Sequence, residues 1–170
     1  MLSDEPDNRC VVITEVMPPD AANFSGHVHG GYLMQLLDRV AYACAARYAR
    51  SYVVTLSTDQ VLFKQPLFVG ELVSFYANVN YVGTTSMEIG IKVVAENVTT
   101  GEQRHTNTCY FTMVAVDDKG KPKTLPSLVC RNDIERYRFE EAKLRKQYRM
   151  AMQKEHAEHK ARIRGKEVTG

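Results

Sequence analysis

Residues 23–41 read NFSGHVHGGYLMQLLDRVA. A polar loop with two histidines runs into a double glycine, and an apolar helical stretch follows with one acid inside it. Continued past this quotation, Leu33, Leu36, Leu37, Val40, Ala41, Cys44 and Tyr48 recur at helical spacing, so one stripe of a long helix is apolar. Gly30 and Gly31 mark its start, and the segment ARYARS marks its end. Asp38 falls at the margin of the stripe, beside Met34, Ala41 and Ala45. Its neighbours one turn away are Met34, Gln35, Ala41 and Tyr42, none of them basic, so no helical ion pair accounts for it. The spacing leaves two readings open: an exposed, unpaired acid, or a carboxylate employed in chemistry.

Outward from this helix the period changes to two. On its N-terminal side RCVVITEVM (9–17) reads as a strand stopped by Pro18 and Pro19. On its C-terminal side VVTLSTDQVLF (53–63) reads as a strand stopped by Pro66. Val73, Phe75, Ala77, Val79 and Tyr81 share one face of the next. Met87, Ile89, Ile91, Val93 and Ala95 share a face of the one after, with Glu88, Lys92 and Glu96 opposite. Cys109, Phe111, Met113 and Ala115 share a face of the last. Turn signals sit at Gly83, NVTTGE and DDKG. The expected class is α+β: an antiparallel sheet with one face covered by a single long helix. From Asn132 a second helix is expected, with Asn132 as N-cap and Glu135 completing a capping box. Tyr137, Leu144, Tyr148 and Met152 give it a thin apolar seam that fades into a fraying polar tail. The domain expectation is 1–131 for the main domain and 132–170 for the helix and tail.

Composition excludes several classes. The 170 residues carry a formal net charge of +2, with 44% hydrophobic and 25% charged residues, the profile of a globular domain rather than a nucleic-acid binder. The polar, acidic start MLSDEPDNRC shows no signal peptide, and no stretch is apolar enough to span a bilayer. Cys10, Cys44, Cys109 and Cys130 form no CxxC pair and read as reduced thiols, so a cytoplasmic protein with no membrane partner is expected. Cys44 faces the core side of the helix and reads as inert.

Other chemistries find less support. His27 and His29 point the same way if extended, but no third ligand is spaced to join them, so no metal site is expected. Ser25, His27 and Asp38 name the types of a triad without the G-x-S-x-G elbow it needs. No phosphate-binding glycine motif is present. Gly30 and Gly31 bring bare amides to a helix N-terminus, the geometry of an oxyanion hole, or else form a plain tight turn. Asn23 is either a carbonyl or water ligand or, more commonly for asparagine, a turn former. A sheet this large with apolar edges implies dimerisation, with a site at the seam.

Taken together, NFSGHVHGGYLMQLLDRVA, VLFKQPLFVGELV and VGTTSMEI resemble the hotdog-fold acyl-CoA thioesterases, in the acyl-CoA hydrolase branch shared by bacteria and the eukaryotic cytosol. The likeness runs from about residue 10 to about residue 150. It implies a hotdog fold whose dimers often assemble into hexamers as trimers of dimers. It implies hydrolysis of acyl-CoA to free fatty acid and coenzyme A, at a site between protomers and with no cofactor beyond the coenzyme A of the substrate. Carried over by residue, it implies Asn23 from one subunit and Asp38 from the other as catalytic pair, Asp38 as general base or nucleophile, and the Gly31 amide polarising the thioester carbonyl. It assigns coenzyme A contacts to His29, Gly30, Thr58, Lys64, Gly83, Thr84, Thr85 and Ser86. Arg136, Arg138, Lys143, Arg145 and Arg149 are either further phosphate contacts or a solvated helix face. Met34, Leu37 and Phe63 are candidates for lining the acyl tunnel. Two alternatives stay open: a hotdog dehydratase of 3-hydroxyacyl thioesters using His27 or His29, and an acyl-CoA sensor without catalysis.

Overall fold

A computed structural model describes residues 7–167; the acidic N-terminal segment and the end of the expected tail lie outside the described residues. The chain divides into two compact units, the first ending at Leu128 and the second starting at Val129. The first holds strand β1 (Cys10–Val16), helix α1 (Gly30–Ala49) and strands β2 (Tyr52–Thr58), β3 (Leu72–Val82), β4 (Ser86–Glu96) and β5 (Gln103–Val116). The strands form one antiparallel sheet in the order β1-β3-β4-β5-β2, with α1 against all five. This is the hotdog arrangement, a curled sheet around a central helix.

The helix forms where its stripe dictates. Leu33, Leu36, Leu37, Val40, Ala41, Cys44 and Tyr48 are all buried, and Leu37, Ala41 and Cys44 lose all exposure. They meet the alternating faces Val73/Phe75/Ala77/Val79, Met87/Ile89/Ile91/Val93/Ala95 and Cys109/Phe111/Met113/Ala115 in one core. Each fully buried aliphatic side chain contributes roughly 1.5–3 kcal/mol, so this interlock dominates stability. The helix ends at Arg50, whose left-handed conformation (φ 49°) lets its N–H return to Ala46 O at 2.9 Å. Burial pushes the Cys44 and Cys109 thiols up to about 12, which leaves them unreactive.

Three strand expectations need correction. The strand expected to run to residue 63 stops at Thr58, after which Asp59 N–H makes one bond to Tyr110 O and the chain leaves the sheet. Tyr81 is off the apolar face, because the β3–β4 register shifts between Val79 and Tyr81 and Val82 packs on the core instead. Glu88, expected on an open face, is only 2% exposed and accepts a hydrogen bond from Asn80 Nδ2 at 3.3 Å. Asn80 reaches it by lying over Gly90, where a Cβ would collide with the amide.

The second unit is one helix, α2 (Asp133–Glu167), of 35 residues. Asn132 Oδ1 caps it by accepting from Glu135 N–H at 2.9 Å, but Glu135 Oε2 returns to Arg131 N–H at 2.7 Å, one residue before the expected position. The expected fraying tail is helical through Glu167. Its residues from 151 onward are mostly strong helix formers with alternating charges, as in the Lys154–Glu158 pair. No helix among the described residues is long and apolar enough to cross a membrane.

Candidate active site

The loop before α1 is folded by its own polar groups. Gly26, at φ 80°, turns the chain so that Ala22 and Val28 bridge, and Val28 N–H bonds Leu67 O at 2.8 Å. Inside this turn Asn23 Oδ1 accepts three hydrogen bonds, from Ser25 N–H (2.9 Å), Ser25 Oγ–H (2.8 Å) and His27 N–H (3.1 Å). Asn23 is therefore the turn former that asparagine commonly is. Two backbone donors identify the bonded atom as oxygen, and the Nδ2 amine makes no bond among the described residues.

The start of α1 differs from the expectation of bare amides. His29 is its N-cap, and its Nδ1 accepts from Gly31 N–H at 2.9 Å. The amide expected to polarise a carbonyl is thus occupied, while the neighbouring Gly30 N–H makes no bond among the described residues. His27 and His29 do not act as a pair. The His27 ring packs against Phe68 at a tilt of 54° with centroids 5.1 Å apart, whereas the His29 ring bonds the Gly31 amide.

Asn23, His27 and Gly30 line a cleft of about 370 Å³ with Leu33, Phe63 and Lys64. Of the tunnel candidates, Phe63 lines this cleft and is half exposed, while Leu37 is fully buried in the core. The far wall, residues 64–67, is fixed by the Glu71–Arg104 ion pair. Arg104 donates to both Glu71 carboxylate oxygens and to Pro66 O, and Glu71 Oε2 accepts from Phe68 N–H. Burial alone would push the Glu71 carboxyl up, but the Arg104 guanidinium and the Phe68 N–H outweigh it and hold the group below its ordinary value. A second cleft, of about 330 Å³, shares Lys64 and Gln65 and is otherwise lined by Gln60, Leu62 and residues 105–108.

Asp38 lies elsewhere. It is eight residues along α1 from Gly30, about 12 Å of helix rise, and is exposed in the protomer. Its partner comes from outside the helix: Thr55 Oγ–H donates to Asp38 Oδ1 at 2.7 Å, a contact with no sign in the helical spacing. Thr55 is on β2, an edge strand, immediately before a register shift against β5 at Thr55/Ser57. The only signal for Thr55 in the sequence was its place on the strand after the helix, the strand that also carries Thr58, expected as a coenzyme A contact. Thr58 ends β2 opposite Phe111 and lines neither cleft. Gly83, Thr84, Thr85 and Ser86 form the β3–β4 turn and also line neither cleft. Thr84 O and Thr85 O accept from Leu125 and Ala115 N–H, and Ser86 pairs with Val114 of β5, whose other partner is Val54 of β2. Of the expected residues, the cleft at the helix start brings together Asn23, Gly30 and Lys64, while Asp38 lies at the open edge with Thr55, which was not expected. In α2, Arg136, Lys143 and Arg145 each stand within 4.0 Å of a carboxylate one turn away, the bond pattern of a solvated helix face.

A curled sheet around one helix, with an asparagine loop and a helix amide at the helix start, defines a protein of the thioesterase superfamily, whose model matches residues 25–102. The chain is 47% identical to the protein VdlD of Helicobacter pylori over 146 residues, 86% of this chain and 83% of that one. It is 36% identical to the acyl-CoA thioester hydrolase YciA of Escherichia coli K12 over 124 residues, 71% of this chain and 93% of that one. Among solved structures it superposes on an apo hexameric acyl-CoA thioesterase with a TM-score of 0.82 at 35% identity, covering 87% and 96% of the two chains. The acyl-CoA hydrolase of Staphylococcus aureus, solved with butyryl coenzyme A, coenzyme A and coenzyme A disulfide, gives 0.79 at 32% identity, covering 86% and 89%. The chain belongs to the acyl-CoA thioester hydrolase family. Structures of the S. aureus enzyme also exist for alanine variants of an asparagine, an aspartate and a threonine. Those three residues have the same sequence spacing as Asn23, Asp38 and Thr55.

Proposed function

We propose that this protein hydrolyses the thioester of acyl-CoA to free fatty acid and coenzyme A, in an oligomer whose sites lie between subunits. The observation that carries the reading is the Asp38–Thr55 contact at an open sheet edge, together with an Asn23 whose only unspent hydrogen-bonding group is a donor.

In this reading Asn23 Nδ2 of one subunit and the helix-start amides polarise the thioester carbonyl. Gly30 N–H is available as the protomer stands; Gly31 N–H joins when His29 turns away. Thr55 holds one oxygen of Asp38 and leaves the other to take a proton from water. The water oxygen bonds the carbonyl carbon, the C–S bond breaks, and the proton passes to the coenzyme A thiolate. Attack by Asp38 itself is the nucleophilic variant of the same site. A positioned base supplies roughly 10²–10⁴-fold and one oxyanion donor roughly 10²–10³-fold, enough for a thioester, whose thiolate departs without strong acid help. The reaction needs no metal or cofactor.

Lys64, shared by both clefts, meets a phosphate of coenzyme A in this reading, and His29, Thr58 and Gly83 to Ser86 contribute contacts across the seam. The exposed apolar residues of β2, Val54 and Leu56, favour strand pairing to a second copy, and the likeness to a hexameric enzyme favours a trimer of such dimers. A cytoplasmic site of action fits the four unpaired thiols.

The test is thiol release from acetyl-, butyryl-, hexanoyl- and palmitoyl-CoA by the wild type and by Asp38→Ala and Asn23→Ala. Both variants should fold, keep the oligomer and lose about a hundredfold or more in kcat. Tight acyl-CoA binding with no release at any chain length would instead make the protein a sensor.

A further inference from the structure

The loop before α1 contains more than a turn. The Ser25 hydroxyl has one hydrogen and gives it to Asn23 Oδ1 at 2.8 Å. Its contact with His27 Nδ1, at 3.1 Å, therefore runs from the ring to the hydroxyl, and Nδ1 carries the proton. The result is a directed chain from His27 Nδ1–H to Ser25 Oγ–H to the Asn23 carbonyl. Bonds aligned in one direction polarise each other, and electron density drawn toward Oδ1 makes the amine at the other end of the amide a stronger donor. His27 is held for this by its tilted ring contact with Phe68 and by a backbone bridge to the same residue, and it lines the cleft with Asn23. The charged groups around it are Lys64 in the same cleft and Arg104, 5.3 Å from the Phe68 ring centroid and paired to Glu71. No carboxylate lines this cleft.

We propose that His27 is a positioning residue that acts through Ser25 to set the donor strength of Asn23, so that the charge on its imidazole tunes catalysis. The proposal rests on the reading of Asn23 as ligand of the thioester oxygen. An imidazolium pulls harder on the chain than the neutral ring does. Turnover should therefore fall as imidazole loses its proton, opposite in sign to the rise expected as a carboxylate base ionises.

The experiment measures kcat and KM for butyryl-CoA from about pH 5 to 9, spanning the range in which imidazoles titrate, in wild type, Ser25→Ala, His27→Gln and His27→Asn. Ser25 is exposed, so loss of its hydroxyl leaves the core untouched. Ser25→Ala and His27→Gln should lower kcat by about 2–10-fold at the acidic end, the size of one hydrogen bond, with KM little changed. Both should also lose any decline in kcat that follows loss of the imidazole proton. His27→Asn, which can still donate to Ser25 but cannot gain charge, should recover part of kcat without the decline. A Ser25→Ala enzyme that keeps the wild-type rate and pH profile overturns the relay while leaving the hydrolase reading intact. A wild type that releases no thiol from any acyl-CoA removes that reading and the relay with it.

Discussion

Strands β4 and β2 have similar sequence patterns and opposite situations. SMEIGIKVVAE of β4 is hydrogen-bonded on both sides, and Met87, Ile89, Ile91, Val93 and Ala95 are all at most 1% exposed. YVVTLST of β2 is just as β-branched but is bonded only to β5, and Tyr52, Val54 and Leu56 remain 64%, 43% and 67% exposed. The central strand carries stability; the edge strand carries the residue that orients Asp38 and has an unfilled row of backbone groups. The most deeply buried strand and the strand that contacts Asp38 are thus two places apart in one sheet.

That contrast can be broken at three points. Ile91→Ala, in the centre, removes three buried carbons from a close-packed layer and should cost about 2–5 kcal/mol in urea unfolding. A loss under about 1 kcal/mol would mean that the central layer relaxes freely. Thr55→Ala, at the edge, should leave unfolding nearly unchanged yet lower kcat by about 10–100-fold, the range for a hydrogen bond to a charged group. An equal loss of stability there would erase the division between the strands. Leu56→Lys puts a charge on the exposed edge, and sedimentation should show smaller assemblies with activity falling in step, while the protomer's circular dichroism stays the same. Retention of the full assembly would place the subunit contact elsewhere.

The smallest effect concerns acid stability. Glu71 is held below its ordinary value, so its contribution is complete above about pH 4.3 and is lost as the pH falls through the lower folded value. The Glu71→Gln protein should melt at lower temperature near neutrality, and its melting temperature should depend less on pH on the acid side. An unchanged acid limb would show that other carboxylates dominate it.

The chain's periodicities determined the long helix, its buried stripe and the alternating faces of three strands, because each reflects burial repeating at the period of one element. The motif order was enough for the family. The loop asparagine and helix aspartate were legible as candidates because polar residues beside an apolar helix demand an account. What tertiary structure decided were the features that depend on a partner far away in the chain. β2 leaves the sheet after Thr58 although β5 runs on from Phe111 to Gln103, and Tyr81 leaves the core because a register shift against β4 reverses the alternation. The Gly31 amide is occupied because the His29 ring folds back on it. Thr55, seventeen residues beyond Asp38, became its partner only when the edge strand was laid against the helix. Local patterns record which face is buried; a hydrogen bond between two exposed polar groups leaves no period in the sequence, and only the folded geometry contains it.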